Sequence, residues 1–177
     1  MILADIIVQT LQILIPAYIA NGSPPFLIRM PFKKHPLDFG LKIGKNRVFG
    51  DGKTIEGLIL ASIMGYLMGL LVTYFISILP STITALSLPP LSYLFIGLGA
   101  MIGDLIGSFY KRRMGLPRGA NMGLLDMEDF IIGSLIAVRF YTPYSWYIVI
   151  IALVLTPIVH RAANIIGYKI GVKREPW

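Results

Sequence analysis

Apolar residues in this chain run in long blocks, and the polar residues collect between the blocks instead of alternating with them. From Gly57 to Gly103 no Asp, Glu, Lys or Arg occurs. A helix needs about 20 largely apolar residues to cross some 30 Å of hydrocarbon. On that measure Asp5 to Gly22 forms a first span, with Pro16 expected to kink it. Ile55 to Leu79 forms a second, roughly 37 Å long at 1.5 Å per residue and able to cross with tilt. Leu91 to Arg113 forms a third, long enough to carry its last turns out of the membrane. Asp129 to Tyr141 is short and carries Arg139. Trp146 to Lys169 forms the last, with Pro157 inside it. The fold expected is an all-α bundle of five transmembrane helices making one catalytic domain over residues 1–177, with loops 23–54 and 114–128 on one side.

The cations orient this bundle. Arg29, Lys33, Lys34, Lys42, Lys45, Arg47 and Lys53 precede the second span, Lys111, Arg112, Arg113 and Arg118 follow the third, and Lys169, Lys173 and Arg174 close the chain. The connections at 80–90 and 142–144 carry none. The positive-inside rule then puts the N-terminus outside and the C-terminus in the cytoplasm, which requires the short fourth span. Composition agrees with the block pattern: 55% hydrophobic and 14% charged, with mean hydropathy +0.73, against roughly 25% charged in soluble domains. The apolar run starts without a basic head or cleavage site, so Met1 onward reads as mature protein. The absence of cysteine excludes disulfides and thiolate metal sites. A net charge of +7 is explained in large part by topology and attraction to anionic lipid.

The acidic residues ask for more. Of nine, all but Asp5 lie in or beside the cytoplasmic segments, and Asp104 lies within a span, where an ionisable group costs about 2.5 to 3.5 kcal/mol and usually faces a polar cavity. Spaced at about 100° per residue, Asp104, Ser108, Lys111 and Arg112 share roughly a third of one helix surface. A glycine-containing loop with Arg118 follows, then Asp126 and Asp129, three apart. Carboxylates without His or Cys suit magnesium, usually shared with substrate phosphates, and nearby cations would take the remaining phosphate charge. The set reads as a phosphoryl-transfer site. Structural roles stand beside each: Asp126 as a helix cap, Asp129 as a charge at a helix N-terminus, Asp104 paired with Lys111, and Lys111 to Arg113 as a lipid anchor. Glu128 reads as solvated. His35 and His160 show no partner pattern, and Arg161 is open between pairing within the bundle and lining the cavity.

The stretch VFGDGKTIEG at 48–57 looks like the end of a P-loop but is not one, because Arg47 stands where the motif needs glycine and no soluble helix follows. Phosphate binding survives differently, through the free amides and positive end of the helix that starts there. Gly50 and Gly52 would allow close approach, Lys53 would add charge, and Thr54 would cap or touch phosphate. Asp51 and Glu56 then need a partner, Arg47 or a magnesium ion. Asn21 and Ser23 come near if the 23–54 loop folds back, and its glycines suggest mobility.

Ser108-Phe-Tyr-Lys111-Arg112 followed by Asp126-Met-Glu-Asp129 resembles the signature of the CDP-diacylglycerol synthase family. NGSPP after the first span, FGDGKTIEG before the second and GDLIGSFYKRRMGLPRG in the third are similar to its archaeal branch, the CDP-archaeol synthases. The resemblance implies a magnesium-dependent cytidylyltransferase in the cell membrane, with its active site facing the cytoplasm. It would join CTP to a phosphorylated isoprenoid diether lipid, 2,3-bis-O-geranylgeranylglycerol 1-phosphate, and release pyrophosphate. By position, Asp104, Asp126 and Asp129 would hold metal, Lys111 would serve catalysis, and Ser108, Arg112 and Arg118 would address phosphate. The chain departs from the bacterial pattern at Asn121-Met122-Gly123, at Met127 and at Arg118-Gly119. No nucleic-acid partner is expected, and assembly into a homo-oligomer stays open. The alternatives are a CDP-alcohol phosphatidyltransferase, of whose motif only Asp51-Gly52 is present, and a small transporter with Asp104 in its path.

Overall fold

The computed structural model describes residues 3–27, 31, 33–117, 120 and 122–171. Six helices and one small hairpin are formed among them: α1 Leu3–Gly22, α2 Pro24–Leu27, β1 Lys42–Ile43, β2 Asn46–Arg47, α3 Ile55–Ser77, α4 Pro90–Arg113, α5 Leu124–Arg139 and α6 Trp146–Lys169. Four segments, Leu3–Phe26, Ile55–Ser77, Pro90–Arg113 and Trp146–Lys169, are long and apolar enough to cross a membrane. The expected fourth span corresponds to α5, which starts earlier than its apolar run because Leu124 to Glu128 already lie in the helix; its 16 residues reach only about 24 Å.

The centre of the bundle is α4, packed on α5, α3 and α1. Its buried Tyr93, Ile96 and Ala100 join Ile13, Leu14 and Ala17 of α1, Phe130, Ile131 and Leu135 of α5, and Ile148 and Ala152 of α6. Helices in lipid gain little from excluding water and instead associate through close van der Waals contact at small residues. The α4–α5 seam shows it, because a Cβ on Gly103 would run into the backbone carbonyl of Asp129 and one on Gly107 into the Asp129 carboxylate.

The polar residues of α1 have a structural use. Backbone in an apolar setting must find internal partners, and the connection between α3 and α4 finds them on this helix. Asp5 Oδ1 accepts from the Thr84 amide at 2.9 Å, and Gln9 Nε2 donates to the Thr84 carbonyl at 2.8 Å. Gln12 serves Leu86 both ways, at 2.9 and 3.1 Å, and also donates to the Tyr93 hydroxyl at 2.8 Å.

The described part of the loop before α3 is tied together by hydrogen bonds. Its ends pair, with the Leu37 amide on the Lys53 carbonyl at 2.8 Å and the Ile55 amide on the His35 carbonyl at 3.0 Å. His35, which shows no partner pattern in the sequence, holds Glu56 through its ring nitrogen at 2.5 Å and its amide at 2.9 Å. Farther out, Lys42 pairs with Arg47 and Ile43 with Asn46 around Gly44, whose φ of 64° suits a tight hairpin turn.

Candidate active site

One side chain organises the hairpin from within. Asp38, 3% exposed, pairs with Arg47 and accepts amides from Gly40, Phe49 and Gly50 at 3.2, 3.0 and 3.0 Å. The Arg47 guanidinium, together with these amides, holds its carboxyl well below the usual carboxylate range. Arg113, at the end of α4, grips the hairpin from outside, donating to the carbonyls of Ile43, Asn46 and Arg47 at 2.9, 3.3 and 2.6 Å. A guanidinium suits this because its donors form a rigid fork. The segment Arg47–Lys53 is thereby laid against the C-terminal half of α4.

A polar cavity of about 620 Å³ results. Among the described residues it is lined by Lys42, Lys45, Arg47, Lys53, Lys111 and Arg112 and by the carboxylates Asp51, Asp104 and Asp126. Cations outnumber carboxylates, so the cavity favours a polyanion. Asn21, Gly50, Gly52 and Ser108 also line it, Ser108 with 9% exposure. Apart from Lys42 and Lys45, these are the residues singled out from sequence, brought together from α1, the hairpin and the turn after it, α4 and α5. Lys42, Lys45, Asn46, Phe49 and His160 line it as well. The loop has no periodicity from which the first four would be read, and His160 lies in an apolar helix whose polar residues at helical spacing are the uncharged Thr156 and Asn164.

The carboxylates are paired by cations from other elements. Lys53, just before α3, binds Asp104 on α4, and Lys111 on α4 binds Asp126 on α5 at 2.6 Å. Asp104 therefore does not pair with Lys111, because the carboxylate lies two helical turns deeper, where Lys53 reaches it from across the seam. Arg47 also meets Asp51 at 2.5 Å, one of the two partners expected for that carboxylate. The Asp126 carboxylate accepts the Met122 amide at 2.9 Å, tying down the turn before α5, and Lys111 donates to the Ala120 carbonyl at 3.2 Å.

Other expected site residues lie elsewhere. Thr54 caps α3 by accepting the Gly57 amide at 3.1 Å; Glu56 is held by His35; Ser23 is buried with its hydroxyl on the Ala20 carbonyl at 3.0 Å. None of the three lines the polar cavity. Arg118 lies outside the described residues. Asp129 lies on the neighbouring surface, an apolar groove of about 1000 Å³ between α4 and α5 that runs from Met114 and Leu125 to Phe95 and Tyr141. Asp126 borders both spaces.

Among the described residues no three of His, Cys, Asp and Glu gather into a metal cage. Magnesium rarely has one, commonly binding one or two carboxylates plus substrate phosphates and water. Asp104 and Asp126 on one polyanion-favouring cavity fit that donor set.

Comparison with known proteins follows the same lines. The CarS-like family, described as CDP-archaeol synthase, matches residues 3–177. The CDP-archaeol synthase of Pyrobaculum arsenaticum is 39% identical over 163 residues, 92% of this chain and 93% of that protein. That of Saccharolobus islandicus is 39% identical over 170 residues, 95% of each. A solved structure described as "Structural insight into an intramembrane enzyme for archaeal membrane lipids biosynthesis" superposes with TM-score 0.73 at 32% identity, covering 88% of this chain and 92% of that one. With its apolar helices, the chain is a multi-pass membrane protein. By this family match over nearly its whole length, and by relatives of equal length, the chain belongs to the CDP-archaeol synthase family.

Proposed function

We propose that this protein is a magnesium-dependent cytidylyltransferase that joins CTP to a phosphorylated isoprenoid diether lipid, forming CDP-archaeol-type lipid and pyrophosphate. The observation that carries the reading is the meeting of a cation-lined cavity and an apolar groove at Asp126. A triphosphate suits the first, and isoprenoid chains, offering only shape and apolar surface, suit the second. The lipid phosphate at the junction then stands beside the nucleotide.

In the reaction a lipid phosphate oxygen attacks the α-phosphorus of CTP. The new P–O bond forms as the bond from the α-phosphorus to the bridging oxygen of the β-phosphate breaks, and that electron pair leaves with pyrophosphate. No covalent nucleophile is needed, because the lipid phosphate is an anion at neutral pH. Lys53, Lys111 and Arg112 draw the two anions together and neutralise charge moving onto the leaving group, with Ser108 as a hydroxyl donor. Asp104 and Asp126, with Asp129 at the groove edge, would hold the metal, which when bound would screen the triphosphate and steady pyrophosphate. Lys53 and Lys111, paired with carboxylates in the structure, would turn to phosphate oxygens when nucleotide binds, and the carboxylates would then be open to the metal.

The topology follows the basic loops: five spans including α5, N-terminus outside and the site open to the cytoplasm, in a single catalytic domain. Transport receives no support from the polar residues of α1, since Asp5, Gln9 and Gln12 serve the backbone of the 80–89 connection. The test is turnover by the purified protein with labelled CTP, magnesium and lipid phosphates. CDP-lipid and pyrophosphate are expected in equal amounts. Consumption of a CDP-lipid with an alcohol instead, or ion flux without product, refutes the reading.

A further inference from the structure

The lysines and aspartates at the α4–α5 end account for a triphosphate and leave the nucleobase without a partner. Phe49 lies just beyond the hairpin and lines the same cavity, half-buried. Its ring is backed by Phe109 of α4, with centroids 6.4 Å apart and planes tilted by 59°. The Arg113 guanidinium lies 5.2 Å from the Phe109 centroid. The same guanidinium holds the hairpin carbonyls, and the Phe49 amide is held at 3.0 Å by Asp38. Backbone and ring are thus fixed from both sides. A rigid apolar ring set among the cations and glycines of the 42–53 segment is poorly solvated by the water that such a cavity holds, and a flat heteroaromatic partner would cover it. His160 is the other aromatic ring among the described lining residues, and it packs against Phe130 at 5.8 Å.

We propose that Phe49 is the stacking face for the pyrimidine base of the nucleotide, and that Phe109 and Arg113 are positioning residues for it. This rests on the polar cavity being the nucleotide site. The triphosphate would extend from Phe49 toward Lys53 and Lys111, and Arg113, which reads as a lipid anchor by charge alone, would act by geometry.

The experiment compares CTP with inorganic tripolyphosphate, which carries the phosphate charge without a base, as substrate and as competitive inhibitor. Phe49→Leu should raise the CTP KM about tenfold, in line with one lost stacking contact, while leaving tripolyphosphate inhibition within about twofold. Phe49→Tyr should restore the CTP KM. Arg113→Lys, which keeps the charge but loses the fork, should weaken CTP and tripolyphosphate together and speed amide exchange at 42–50. An unchanged CTP KM in Phe49→Leu, or equal losses for CTP and tripolyphosphate, overturns the stacking role; wild-type behaviour of Arg113→Lys overturns its positioning role. If tripolyphosphate does not compete with CTP in the unaltered enzyme, the cavity itself is misassigned, whatever Phe49→Leu does.

Discussion

Lys111 Nζ lies 2.6 Å from Asp126 Oδ2, a pair that bridges α4 and α5 with side chains only 18% and 17% exposed. Each member stands ready for a different part of the same reactant, the lysine for phosphate and the aspartate for metal. Asp126→Asn should leave the protein in the membrane and reduce turnover below detection. Lys111→Ala should lower kcat/KM for CTP at least a hundredfold, about 2.7 kcal/mol. Their effects on CTP affinity, read by equilibrium binding, should not add in the double variant, because either one removes the shared pair. Normal turnover by Asp126→Asn would end the assignment.

Gly107 sets the position of Asp129. A Cβ there would meet the Asp129 carboxylate, whereas one at Gly103 would meet the Asp129 backbone. Gly107→Ala should therefore turn a side chain aside with the α4–α5 seam intact, and Gly103→Ala should push the helices apart. The first is expected to lower kcat about tenfold or more with little change in detergent melting temperature. The second should lower the melting temperature as well, since overpacked contacts cost about 1 to 3 kcal/mol of stability. A Gly107→Ala enzyme with full kcat would leave Asp129 without a role in turnover.

These residues also show how far the sequence could be read. The helices were legible because burial in lipid leaves a mark on every residue of a span: the ends of α3, α4 and α6 fall within two residues of their apolar runs. Asp104, Ser108, Lys111 and Arg112 were legible because they share one helix face. Which cation meets which carboxylate was not, since Lys53 and Asp104 are 51 residues apart and only the packing of α3 on α4 joins them. The hairpin was hidden for another reason. Its order comes from Asp38 and Arg113 binding backbone amides and carbonyls, and backbone partners leave no residue type to recognise. His35 and Glu56 escaped likewise, being brought together by pairing of the loop's ends.

The Asp38 carboxyl gives the hairpin a defined acid limit. Its folded value is held below the ordinary one by Arg47 and the Phe49 and Gly50 amides. The contribution is therefore fully present above the unfolded value of about 3.9 and is lost as pH falls through the folded value. Amide protection at 38–50 should stay level from pH 7 to about pH 4 and decline only below. In Asp38→Asn it should already be low at pH 7 and should not change over that interval. A wild-type hairpin that loosened between pH 7 and 5 would contradict the Asp38–Arg47 arrangement as its support.

Metal affinity should depend on nucleotide. Lys53 pairs with Asp104 and Lys111 with Asp126, so a divalent cation arriving alone must displace two ammonium groups. Nucleotide removes that obstacle by offering the lysines phosphate oxygens. By linkage, whatever factor CTP gives to metal affinity, metal must give to CTP affinity. Manganese, used as a paramagnetic probe, should bind weakly to the protein alone and at least tenfold more tightly with a non-reacting CTP analogue. Lys53→Ala separates this from ordinary chelation by the nucleotide. Leaving Asp104 unpaired, it should raise nucleotide-free manganese affinity while lowering affinity for the analogue. If Lys53→Ala instead leaves manganese binding unchanged in both states, the lysine is not the group that competes with metal for Asp104.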